Sequence, residues 1–205
     1  MNNIRSVWVA GFIASAVYLI GATIAYFTYP FAYSPFTNWL SDLGNPINNP
    51  SGALSYNLGC ILSGLGLIGF SLGLQTWDDG EKRHKILLVI AQVTNIVSAL
   101  SLIVAALFPL GAHTPVHAIA GKLHIVFAGF FLTFSATVLL RRLQTPKWIG
   151  YFGFFSALVN FVYGAFLHEV FVIEWAAIGM FIMYILLIST HSFQYDTIRI
   201  GVGVR

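Results

Sequence analysis

ILLVIAQVTNIVSALSLIVAALF, residues 86–108, runs for 23 residues without a charged side chain. A helix needs about 20 mainly apolar residues to cross the hydrocarbon core of a bilayer, whereas strands in soluble proteins rarely exceed about ten. The stretch therefore predicts a helix that spans a membrane.

Five further apolar runs of comparable length lie along the chain, and its composition agrees with them. The 205 residues are 58% hydrophobic and 8% charged, with a mean hydropathy of +0.81, whereas about a quarter of the residues of a soluble domain are charged. This excludes a water-soluble fold. We predict an all-α integral membrane bundle, one domain over residues 1–205, with six transmembrane helices at about 7–27, 54–76, 86–108, 115–140, 148–167 and 170–193.

The basic residues lie almost entirely on one side of these predicted helices. Nine of the ten Lys and Arg residues precede helix one, follow helix two or helix four, or lie in the C-terminal tail. Cytoplasmic loops carry an excess of Lys and Arg. The distribution predicts cytoplasmic N and C termini in a multi-pass protein of the cell membrane, and it argues against a nucleic-acid partner.

Most other ionisable residues fall on the opposite, outward side, including His168 and Glu169. Ionisable groups in or near membrane spans are functional candidates, because a polar group in hydrocarbon needs a partner. We predict a polar site on this side, with these candidate residues: Ser41, Asp42, Asn57, His113, His117, Lys122, His124 and Glu174.

Helix four carries the densest part of this set. Thr114 can cap the helix, and Pro115 suits its first turn. His117, Gly121 and His124 then share one face of the helix. Gly121, between the two histidines, is small enough for this face to pack against a neighbouring helix. His124 lies roughly 13 Å below Pro115, so it either binds a ligand or metal or hydrogen-bonds to a neighbouring helix.

Lys122 and Glu174 have two interpretations each. Lys122 points away from the histidine face and is expected to reach the headgroups or to pair with a carboxylate. Glu174 is either a charge near a helix start, where the dipole favours it, or the partner of Lys122 or of a histidine. Asn57 is typical of an amide that hydrogen-bonds between helices.

A zinc site is one possible use of these residues. His113, His117, His124 and Asp42 offer the imidazole and carboxylate ligands that zinc accepts. Their spacing matches no diagnostic motif, and Pro115 makes a continuous helix across His113 and His117 doubtful. Zinc is the only cofactor that the pattern suggests.

Helix two contains a run of small residues. GLGLIG, residues 64–69, matches a dinucleotide-binding fingerprint, but no strand is predicted before it. Small residues at this spacing instead let helices approach closely; they are Gly59, Ser63, Gly66, Gly69 and Gly73. Such a face could also bind a second copy of the chain or another membrane protein.

Three stretches resemble a prokaryotic multi-pass family, domain of unknown function 998: SPFTNWLSDLGNPINNPSGALSYNLGCILSG, LFPLGAHTPVHAIAG and the glutamate of VIEWAAIG. That family has a Ser-x-Leu-Gly segment before helix two, a Phe-Pro followed by a histidine and a glycine around helix four, and a glutamate that opens the last helix. The matching residues are Ser41, Leu43, Gly44, Asn57, Gly64, Phe108, Pro109, His117, Gly121 and Glu174. SDLGNP more distantly resembles the eukaryotic Frag1, DRAM and Sfk1 group, which implies a link to lipids.

The sequence leaves several functions open. One is a lipid-handling or lipid-binding protein whose polar site engages a headgroup, with Lys122 for phosphate and the histidines as donors. Another is a metal-dependent hydrolase of a lipid ester or amide. A third is a structural or accessory subunit, and a small transporter is a weaker fourth. Membrane lipids are the expected partners in the first two, and whether the protein is an enzyme stays undecided.

Overall fold

The computed structural model describes residues 5–142, 145–167 and 169–203. Six long helices account for most of them: α1 (Arg5–Phe27), α2 (Ala53–Gly73), α3 (Lys82–Leu107), α4 (Thr114–Arg141), α5 (Lys147–Ala165) and α6 (Phe171–Gly203). All six are long and apolar enough to cross a membrane. The predicted all-α bundle of six transmembrane helices is confirmed, and the chain is a multi-pass membrane protein.

Two helices extend well beyond their predicted ends. α3 begins at Lys82 rather than Ile86, and α6 continues to Gly203 rather than ending at residue 193. Hydropathy marks only the part of a helix that lies in hydrocarbon, and no proline interrupts either polar extension. These helices therefore continue past the apolar layer.

The helices form a closed ring in chain order. Each helix packs against the next one, and α6 returns to pack against α1. The fully buried aromatic side chains of Phe70, Phe131 and Tyr184 fill the middle of this circle of helices, and they meet edge to face. We call the end of the bundle that carries both chain ends the near end, and the opposite end the far end.

Glycines set the distance between α1 and α2. A Cβ on Gly21 would lie 2.5 Å from the backbone oxygen of Ser55 and 3.0 Å from the Cα of Gly59. A Cβ on Gly66 would lie 2.8 Å from the Cβ of Ala14. The small face of α2 therefore serves the close approach to α1, as interpreted from the sequence. GLGLIG lies inside α2, which excludes the strand that a dinucleotide site would need before it.

Residues 28–52, which we call the cap segment, fold over the far end. A 3-10 helix, Leu40–Gly44, lies within them, and Leu40 and Leu43 are buried. The fully buried amide of Asn49 donates to the carbonyls of Ala25 and Leu43 at 3.0 and 2.9 Å. The cap segment is thus fastened to the bundle by its own buried side chains.

Candidate functional site

A cavity of about 220 Å³ lies under the cap segment, inside the far end of the ring. All helices except α1 contribute to its wall, together with the 3-10 helix of the cap. Six of the eight candidate residues line it: Ser41, Asn57, His117, Lys122, His124 and Glu174. The cavity ends above the aromatic rings that fill the middle of the bundle.

Both cavity histidines are anchored to α3. Nδ1 of His117 lies 2.9 Å from the carbonyl oxygen of Ala105. Nδ1 of His124 lies 3.1 Å from the carbonyl oxygen of Ser98 and 2.9 Å from its hydroxyl, which also donates to the carbonyl oxygen of His124 at 3.0 Å. A carbonyl only accepts, so Nδ1 carries the hydrogen in both rings and Nε2 of the neutral ring is an acceptor. In that tautomer a neutral ring accepts at Nε2, and only a protonated ring would donate there as expected from the sequence.

Gly121 borders open space between these histidines. Within the described part of the chain, nothing lies within 4 Å of the position that a Cβ on Gly121 would occupy. His124 is buried and its ring packs against Phe181. The face of His117, Gly121 and His124 therefore borders the cavity at Gly121, while its two histidines also contact α3 and α6.

Lys122 is also among the residues that line the cavity. Its side chain is exposed, and no ion pair involves it among residues 5–142, 145–167 and 169–203. The carboxylate pairing predicted for it is absent from these residues. Lys122 is an ammonium group at the rim of the cavity.

Glu174 binds the cap segment, which neither sequence-based interpretation had foreseen. Its side chain is 7% exposed, and Oε2 accepts the backbone N–H of Leu40 at 2.7 Å. Ser41 lies beside the same carboxylate. α6 thereby holds the start of the 3-10 helix in place.

Asn57 fastens the other end of the same short helix. Its Nδ2 donates to the carbonyl oxygen of Gly44 at 2.9 Å, so the predicted interhelical amide bridges α2 and the cap. A Cβ on Gly44 would lie 2.5 Å from Oδ1 of Asn57, which explains why glycine stands there. Two of the predicted site residues thus shape the roof of the cavity.

Asp42 and His113 do not line the cavity. Asp42 is half-buried and accepts the backbone N–H of Trp39 at 3.0 Å. Burial raises the pKa of its carboxyl, and this effect outweighs the opposing influences of that hydrogen bond and of His117. His113 is exposed before α4 and packs against Phe108.

The start of α4 differs in one respect from the sequence-based expectation. Thr114 is the first residue of α4 rather than its cap, and its hydroxyl accepts the N–H of Gly111 at 3.2 Å.

Of the two other ionisable residues expected on the outward side, His168 lies outside the described residues. Glu169, at the far end, follows it.

The proposed zinc ligands are not assembled. In the described ranges, no group of three or more His, Cys, Asp and Glu side chains is placed to hold a metal ion. His113 and Asp42 lie outside the cavity, and Nδ1 of His117 and of His124 binds a carbonyl of α3. The set of His113, His117, His124 and Asp42 is therefore wrong as a metal site.

α5 is shorter than α4 and ends beside the middle of that helix. A Cβ on Gly164, one residue before the end of α5, would touch Val126 and Ile125 of α4. Because these helices are antiparallel, the first ten or so residues of α4, about 15 Å of helix, extend beyond α5. We call this part of α4, which α5 does not cover, the side window; it contains the exposed Lys122, which lines the cavity together with Tyr163 and Gly164 at the end of α5.

Aromatic side chains of the cavity wall were missed in the sequence. Trp39, Tyr56 and Tyr163 line the cavity, and the hydroxyl of Tyr56 lies 3.3 Å from that of Tyr18. No periodicity distinguishes them from the many lipid-facing aromatics of the chain. The adjacency of Tyr56 to Asn57 was the one usable signal.

Comparison with known proteins identifies the family but no relative of known activity. No curated protein and no solved structure matches the chain. A family model described as a protein of unknown function (DUF998) matches residues 12–191, which confirms the resemblance seen in the sequence. The match extends from α1 to α6 and so covers the cap segment, the cavity and the side window. The chain is therefore a member of the DUF998 family.

Proposed function

We propose that the protein binds a membrane lipid, whose headgroup enters the far-end cavity through the side window. The observation that carries this proposal is that the cavity is lined both by α4 residues beyond the end of α5 and by the last residues of α5 itself. We infer that the cavity opens there, on the flank of the bundle, where a lipid headgroup can enter. The acyl chains of the bound lipid would remain in the bilayer.

The depth of the window suits a headgroup. α5 has 19 residues and is therefore about 28 Å long, which is close to the thickness of the hydrocarbon core. Its C-terminal end then lies near the boundary between hydrocarbon and headgroups.

Lys122 supplies the charge that such a ligand requires. An ammonium group without a carboxylate partner attracts the phosphate that most membrane lipids carry. With the termini in the cytoplasm, as the basic loops predict, the cavity would open to the outward leaflet of the cell membrane. The closed middle of the bundle makes lipid binding a better account than transport through the axis.

Substitution of Lys122 tests the role of its charge. We expect Lys122→Ala to weaken the binding of phosphatidylglycerol at least tenfold, which corresponds to about 1.4 kcal/mol, as measured by native mass spectrometry of the detergent-solubilised protein. Lys82→Ala, which removes an exposed lysine at the near end, is the matched control and should bind as the wild type does. Equal lipid binding by both variants would contradict the proposal.

A structural role is the second candidate, and one observation favours it. Glu174 and Asn57 use hydrogen bonds to hold the cap segment of the same chain. Polar groups that only lock the fold would give this arrangement without any ligand. On that account, lipid binding would be independent of Lys122 and of the space beside Gly121.

A further inference from the structure

Two groups of opposite charge border the cavity without meeting. Lys122 lies at the rim, and Glu174 lies on the inner wall of the cavity below the cap. No ion pair joins them or involves either one in the described part of the chain. A ligand that carries both an anionic and a cationic group could satisfy both.

The carboxylate of Glu174 has room for a cation. Its hydrogen-bond partner is the backbone N–H of Leu40, a neutral donor from the cap, and Ser41 of the cap lies beside it. An ionised carboxylate offers about four acceptor sites. A buried carboxylate without a positive partner is costly, so a bound ammonium group would be strongly stabilised there.

The rest of the inner wall also favours a group that donates hydrogen bonds. Nε2 of His117 and of His124 takes part in no hydrogen bond within the described residues, and in the neutral rings this atom accepts. The aromatic rings of Trp39, Tyr56 and Tyr163 line the same space, and ring faces attract cations. Inside the cavity, acceptors and aromatic rings outnumber positive charges.

We infer that the bound lipid is zwitterionic and carries a primary ammonium group beyond its phosphate, as phosphatidylethanolamine does. This inference rests on the proposed function and specifies its ligand. The ammonium group lies at Glu174 with its N–H groups toward the acceptors of the inner wall, and the phosphate lies at Lys122 in the side window. A headgroup that enters the cavity with its terminal amine first would bring the ammonium group to Glu174 and leave the phosphate at Lys122.

Three lipids with identical acyl chains separate the contributions. Phosphatidylethanolamine has both the phosphate and the N–H donors, phosphatidylcholine has a cation without N–H donors, and phosphatidylglycerol has no cation. We expect native mass spectrometry titrations of the wild-type protein to show phosphatidylethanolamine binding at least tenfold more tightly than either of the others.

The variant Glu174→Gln assigns the preference to a residue. Glutamine keeps an oxygen that accepts from Leu40, so the cap should stay in place, but the negative charge is lost. We expect phosphatidylethanolamine to lose its advantage over phosphatidylglycerol in this variant. Lys122→Ala should instead weaken both of these lipids by similar factors.

Failure of this inference can be distinguished from failure of the proposed function. If the three lipids bind the wild type equally, if phosphatidylglycerol binds best, or if Glu174→Gln keeps the preference, the ammonium site is wrong. Lipid binding that Gly121→Leu abolishes would still support the proposed function in those cases. If no lipid binding is sensitive to Gly121→Leu, both proposals are wrong.

Discussion

Replacement of Gly21 by leucine is expected to prevent α1 and α2 from packing and to remove most of the folded protein. A Cβ at this position would already lie 2.5 Å from a backbone oxygen of α2 and 3.0 Å from the Cα of Gly59. Backbone atoms cannot rotate away as side-chain ends do, so the helices must separate. We expect a loss of at least about 3 kcal/mol of stability, seen as aggregation during size-exclusion chromatography after heating.

A matched pair of alanine variants isolates the cause. Gly21→Ala and Gly69→Ala make the same chemical change in the same helix interface. A Cβ on Gly69 has only an ordinary contact, 3.5 Å from the Cβ of Ala10. Gly69→Ala should therefore melt near the wild-type temperature and Gly21→Ala well below it. Equal melting temperatures would show that the close approach of α1 and α2 is not what the bundle depends on.

The second large effect is expected at Gly121, where leucine should remove lipid binding and leave the fold intact. The new side chain would project into the empty space between His117 and His124, so it fills the cavity without displacing a neighbour. We expect lipid affinity to fall more than tenfold in native mass spectrometry while the thermal midpoint stays close to that of the wild type.

Gly179→Leu is the control for this variant. A Cβ on Gly179 also meets nothing within 4 Å among the described residues, but this glycine borders a groove of about 270 Å³ between α1 and α6 and not the far-end cavity. The variant should bind lipid normally. Lipid binding that survives Gly121→Leu and is lost in Gly179→Leu would place the site in the groove instead.

The sequence predicts the helices well because crossing a membrane demands a long apolar run in each one. The same rule also explains its errors: α3 and α6 extend past their apolar parts, where hydropathy no longer reports helix. The pattern of α4 placed His117, Gly121 and His124 on one face, because helical periodicity is local information. Whether that face packs or borders a cavity depends on the neighbouring helices.

The surroundings of Lys122 and Glu174 could not be predicted from the sequence, for a physical reason. α5 ends beside the middle of α4, so it does not cover the part of α4 that carries Lys122. The partners of Glu174 lie in the cap segment, more than 130 residues earlier in the chain. Neither the length mismatch between helices nor a hydrogen bond across the ring is visible in a local sequence pattern.

Site-specific photo-crosslinking to lipid tests the central claim, which is that a lipid headgroup occupies the far-end cavity. A photoreactive phenylalanine analogue would replace Tyr163, which lines the cavity, or Tyr151, which is 65% exposed on the same helix. We predict a phospholipid adduct at position 163 that Gly121→Leu removes, while the adduct at position 151 with the surrounding lipid is unchanged. An adduct at position 163 that persists in Gly121→Leu, or none in the wild type, would contradict the account.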